Sequence, residues 1–116
     1  EDVLSGRRRA DGIARGGWKP EIHRSMTKMA TYLAVKDGSW FDIPMGALQS
    51  ETLENLYGAG RMVWADDTAF AAVRVMGTCF ATGHAAGVAA ALQADLGQMP
   101  CVEKVRVELQ KQGGLV

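Results

Sequence analysis

Gly58-Ala59-Gly60-Arg61-Met62-Val63 begins like a phosphate-cradling glycine loop, in which bare backbone lets amides approach an anion. It follows a short apolar run, as a dinucleotide fingerprint requires. Its third glycine is missing, however, and Trp64-Ala65-Asp66-Asp67 stands where a helix should open. As a phosphate loop it is weak. Asp66 and Asp67 offer a carboxylate that could accept a proton, and a solvated turn is the plainer reading. Arg7-Arg8-Arg9 could bind an anion, but without interleaved aromatics it reads as a solvated face. Cys79 and Cys101 are too far apart for a CxxC pair and lack zinc-ligand spacing, so no metal site is expected. Both read as small buried apolar residues of a reduced compartment, Cys79 being structural and unreactive. His23, alone in a loop, reads as structural.

The strongest candidate is the start of a helix. From Val75 to Ala94 the sequence has no Asp, Glu, Lys or Arg, and it consists mostly of Ala, Gly and Thr. Gly83 and Gly87 each cost a helix about 1 kcal/mol relative to alanine, so something should offset that loss. They lie four apart on one face, flanked by alanines, which permits another backbone to approach closely. The first turn falls at Gly77-Thr78, with Thr78 a fair capping residue. Free amides at such an end attract anionic or carbonyl oxygens. The pattern suits a helix on which a flat cofactor rests and equally a tightly packed core helix; the residues alone leave both open.

The elements that must position this helix end are legible in part. A short helix is expected over Glu1–Ser5, then a loop punctuated by Gly and Pro through "ARGGWKPEIH". Thr31–Val35 and Trp40–Ile43 flank Asp37-Gly38, which predicts a tight β-hairpin closed by Pro44. Ala47–Asn55 reads as a connection with at most one helical turn. Leu56–Gly60 reads as a short buried strand whose glycines admit a close neighbour. Arg61–Val73 carries no firm assignment. The small-residue helix should run from about Thr78 to Leu96, with Gly97 and Pro100 as stop signals. A last amphipathic helix is predicted over Val102–Gln112, with Val102, Val105 and Leu109 on one face. The fold class is α+β.

Composition narrows the partners. Apolar residues make up 47% and charged residues 22% of the chain, as in ordinary globular domains. Thirteen basic and thirteen acidic residues cancel, so no global field favours nucleic acid or an anionic membrane. Val75–Ala94 is long enough to span a bilayer, but it spends that length on glycines, threonines, His84 and Gln93, so no membrane span is expected. With no secretory signal visible, a cytoplasmic location is expected.

"EDVLSGRR", "DGIARGGW", "EIH", "FDIP", "ENLYGAGR", "AVRVMGTCFATGHAAGVAAAL" and "LQKQGG" occur in the order found in a bacterial family of FAD-dependent oxidoreductases, glutathione-reductase-like flavoproteins. The chain resembles that family's C-terminal segment over nearly its whole length. The resemblance implies that residues 1–116 are the flavin-side portion of a larger two-dinucleotide-type fold, whose βαβ FAD-binding half lies on another segment or partner chain. It implies FAD as cofactor, a small-molecule substrate and hydride transfer. It places Gly60 and Arg61 along the ribityl and pyrophosphate region, and Val75, Met76, Gly77 and Thr78 at the pyrimidine end of the isoalloxazine. Three departures stand out. Trp64–Thr68 replaces a Ser-Ala-Thr-His-Glu-like stretch, Gly77 replaces Pro, and Met45 replaces an aromatic. The first removes a histidine, so catalytic residues are left unassigned. The isolated chain is expected to be inactive and prone to self-association. The competing reading is a non-enzymatic α+β interaction module that pairs through its Gly83/Gly87 face.

Overall fold

The computed structural model describes residues 2–36 and 39–116. It is a small α+β domain. In chain order its elements are α1 (Asp2–Ser5), β1 (Gly12–Gly16), β2 (Glu21–Ile22), β3 (Thr31–Tyr32), β4 (Phe41–Pro44), α2 (Asp67–Val73), α3 (Met76–Leu96) and α4 (Val102–Lys111). Single 3-10 turns occupy Met45–Ala47 and Gly60–Met62.

The expected hairpin is replaced by two separate antiparallel pairs. β4 pairs with β1, Gly16 opposite Phe41 and Ala14 opposite Ile43, while β3 pairs with β2. Thr31–Val35 and Trp40–Ile43 are therefore not partners. The Asp37-Gly38 turn itself lies outside the described residues. The reason for the exchange is burial: Phe41 and Ile43 are almost fully buried and find Ile13 and Ala14 on β1, whereas Thr31 and Tyr32 are exposed. Gly16 is required at its position, because a Cβ there would collide with the Phe41 ring. The loop read through "ARGGWKPEIH" thus holds the end of β1 and all of β2.

Asp42 anchors the entry to this sheet. Its side chain is only 2% exposed and accepts from the Arg9 amide at 2.9 Å, with Arg8 Nε at 3.1 Å and Arg15 Nε at 3.2 Å. Arg9 in turn bonds Asp11 at 2.8 Å and Asp2 at 3.1 Å. The arginine run is thus part of an ion-pair network around a buried carboxylate rather than a free solvated face.

Leu56–Gly60 does not form a strand. One bridge, Gln49 to Tyr57, precedes the Gly60–Met62 turn. Gly60 has φ +61°, which side chains rarely adopt, and its amide donates to Thr82 Oγ1 at 3.0 Å. That bond fastens the turn to α3. α2, left unassigned by sequence, starts where the Asp66 carboxylate accepts from the Ala69 amide at 2.8 Å.

α3 is the spine. Its buried face, Thr78, Thr82, Ala85, Ala86, Val88 and Ala89, packs on β1, the Gly60 turn and α4. Small side chains let three elements approach one helix. Gly97, at φ +66°, ends it in the left-handed conformation, as the stop signal predicts. α4 buries Val105 and Leu109, and Arg106 reaches the Gly12 carbonyl of β1. Gln93, polar within the small-residue run, is used: it accepts from the Tyr57 hydroxyl at 2.7 Å and donates to the Glu54 carbonyl at 2.8 Å. Among the described residues no single helix is long and apolar enough to cross a membrane. The joined pair α2 and α3 is, but it bends by 89° between them.

Gly83 and Gly87 meet no other element of this chain. Both are exposed, with no atom within 4 Å of a Cβ built on either. Within this chain the close approach occurs on the alanine face instead.

Candidate functional site

The first turn of α3 opens on a groove of about 830 Å³, the size of a small-molecule site. One side is formed by the end of β1 and the residues just beyond it: Arg15, Gly16, Gly17 and Trp18. A second is Val35, Lys36, Ser39 and Trp40. The third is Val75, which precedes α3, with Met76, Gly77, Thr78 and Ala81 of α3 itself. Trp18 and Trp40 are each about half exposed, at 51% and 52%, and so present flat apolar faces at the mouth. Trp40 lies over Gly17, where a Cβ would be 2.9 Å from the indole.

The helix end is uncapped. Val75 occupies the N-cap position and has no side chain able to accept, and the Cys79 amide is the first to bond back, to the Val75 carbonyl at 2.9 Å. The amides of Met76, Gly77 and Thr78 therefore precede the hydrogen-bond ladder. Thr78 is not the cap that the sequence suggested. It is 3% exposed and its hydroxyl turns inward to the Ala72 carbonyl at 3.4 Å. Gly77 leaves the backbone bare, with no atom within 4 Å of its Cβ position. The positive end of a 21-residue helix favours negative charge there.

Four of the six residues that the sequence singled out, Val75, Met76, Gly77 and Thr78, thus share one wall of the groove. The other two do not line it. Gly60 packs beside Cys79, its Cβ position 3.3 Å from Sγ, and its amide is spent on Thr82. Arg61 is exposed beside it. Gly58-x-Gly60 thus forms no phosphate loop. Asp66 and Asp67 belong to the start of α2 and do not border the groove, so the proton-acceptor reading has no geometric support.

The cysteines separate. Cys79 is partly buried and its thiol faces the Arg74 carbonyl at 3.4 Å, whereas Cys101 is exposed just before α4, contrary to the buried reading. His23 is exposed and 3.1 Å from Glu21. Among the described residues no cluster of His, Cys, Asp or Glu could hold a metal.

Trp18, Trp40 and Arg15 were missed as site residues. Trp40 is brought beside Arg15 and Trp18 only by the β1–β4 pairing, so no local spacing marks the set. The available signal was compositional: three tryptophans in a chain of 116 residues, two of them beside glycines or turn residues.

The sequence model of one protein family, described as FAD dependent oxidoreductase, matches residues 1–112. No curated protein and no solved structure gives a match.

Proposed function

This chain belongs to the FAD dependent oxidoreductase family, whose cofactor is FAD, and we propose that its groove is the flavin-side half of the redox site. The observation that carries the proposal is the uncapped start of α3 facing an aromatic groove. The residues fit the cofactor there. Three amides without helical partners suit the carbonyl edge of a flavin, and bare Gly77 leaves room for its plane. FAD supplies the hydride chemistry when bound; the polypeptide binds, orients and tunes it. The Gly77 and Thr78 amides would hold the pyrimidine edge of the ring, where the helix end would favour negative charge. Trp18 and Trp40 narrow the mouth and exclude water. Thr82 keeps the Gly60 turn against α3. The exposed Arg61 guanidinium is the group available beside that turn for the ribityl and pyrophosphate side.

Both sheets among the described residues are two-stranded and antiparallel, so they supply no parallel βαβ unit to hold the ADP portion. In this proposal that unit comes from another segment or a partner chain, and the open Gly83/Gly87 face of α3 is where it packs. The family assignment does not favour the non-enzymatic alternative, in which a second copy would cover that face.

The test is reconstitution with a polypeptide carrying a glycine-fingerprint βαβ unit of this family, read by flavin absorbance. The pair should retain FAD where this chain alone retains little. Gly83→Leu and Gly87→Leu should lower the occupancy, since overpacking a close contact costs about 1–3 kcal/mol. Full occupancy in both leucine variants would remove the helix face from the assembly.

A further inference from the structure

The groove carries a charge bias that FAD's ring does not require. Among the described residues Arg15, Lys19 and Lys36 border it, against the carboxylate of Glu21. That carboxylate is engaged elsewhere: it lies 3.1 Å from His23, and a hydrogen bond to it raises the Tyr32 phenol above its ordinary value. Arg15 is different in kind from the two lysines. Its Nε donates to Asp42 Oδ1 at 3.2 Å, its side chain is 21% exposed, and Asp42 is itself fixed by the Arg9 amide and Arg8. Among the described residues neither terminal nitrogen of Arg15 has a hydrogen-bond partner. A guanidinium held by Nε presents its remaining fork in a set direction, which is the geometry that grips a carboxylate.

We propose that the groove takes an anionic substrate, a carboxylate, gripped by the terminal nitrogens of Arg15, with buried Asp42 as the positioning residue. Lys19 and Lys36 raise the local concentration of anions without fixing their orientation. Trp18 and Trp40 favour a substrate with an apolar or aromatic body behind the carboxylate. The assignment rests on the groove being the flavin-side site, but the probe titration that tests it needs no flavin.

Benzoate and its neutral isostere benzamide serve as probes, titrated into the 116-residue chain and followed by the indole N–H resonances of Trp18 and Trp40. Benzoate should bind more tightly than benzamide. Arg15→Gln should weaken benzoate about tenfold, the loss of one charge-assisted contact, and leave benzamide unchanged. Arg15→Lys should recover only part of the loss, because charge returns without the fork. Lys28→Gln, outside the groove, should change nothing. Asp42→Asn should weaken benzoate and spare benzamide, a selectivity that a general loss of packing would not produce. If that variant does not fold, Arg15→Gln decides alone. Equal affinity for the two probes, or benzoate binding unaffected by Arg15→Gln, overturns the assignment. So does loss of FAD affinity in reconstituted Arg15→Gln with benzoate affinity intact, which would give Arg15 to the cofactor phosphates. Benzoate selectivity in a chain that never accepts flavin would sustain this inference while removing the functional reading above it.

Discussion

Replacing Gly83 and Gly87 with alanine should stabilise the isolated chain, although the sequence read alone argues the reverse. Both sit within α3, neither has positive φ, and nothing lies within 4 Å of the added methyl. The only terms left are helix propensity and the freedom that glycine confers on the unfolded chain, about 0.8–1 kcal/mol per site. No third group touches either position, so the double variant should gain about 1.5–2 kcal/mol. With a urea slope of about 1–3 kcal/mol/M, the unfolding midpoint should rise by about 0.5–2 M. Circular dichroism at 222 nm across a urea series, at low protein concentration, reads this directly. A midpoint that falls in either single variant would mean that the face is covered in the isolated chain, and the description of α3 as open on that side would be wrong.

Gly60→Ala should act in the opposite direction. It places a side chain at φ +61° and 3.3 Å from Cys79 Sγ, so a loss of about 1–2 kcal/mol is expected in the same urea assay. Cys101 should react with iodoacetamide rapidly and Cys79 slowly in the folded chain, as peptide mass mapping of the alkylated protein would show. Asp11 titrates below the ordinary carboxylate value, because Arg9 bonds its charged form. Its folded pKa is depressed, so its contribution is present above the unfolded value of about 3.9 and is lost as pH falls through the lower folded value. Asp11→Asn should therefore flatten the acid limb of stability below about pH 4, seen in thermal melts from pH 2 to 6.

The sequence disclosed its helices better than its strands. α3 and α4 announce themselves through period, stop glycines and the absence of charge, and Gly97 closes α3 where expected. α2 escaped because its cap, Asp66, sits in a carboxylate pair that also reads as a turn. The strands failed for a physical reason. Asp37-Gly38 is a strong local hairpin signal, but burial of Phe41 and Ile43 against β1, nearly thirty positions away in sequence, decides the pairing. The exposed pair Thr31-Tyr32 joins Glu21-Ile22 instead. The site followed the same division. Gly77 and Thr78 are legible in the sequence because a helix end is a local feature, whereas Val75 and Met76 come from the family resemblance. Trp18, Trp40 and Arg15 reach the groove only through tertiary pairing. Gly60 stands out in the sequence as a glycine, and in the structure its bare backbone serves a turn held against Thr82.

In the proposed site the start of α3 receives the flavin edge. Amide chemical shifts of the isotopically labelled chain, recorded while riboflavin is titrated in, test it most directly. Riboflavin carries the isoalloxazine without the ADP portion, so any βαβ unit outside this chain is not required. The Met76, Gly77 and Thr78 amides should move most, together with the indole N–H groups of Trp18 and Trp40. Gly77→Pro, which removes one amide at a position where a helix's first turn tolerates proline, should weaken the response without abolishing it. Shifts confined to the Gly83/Gly87 face, or spread evenly over the surface while Met76 to Thr78 stay still, would contradict it.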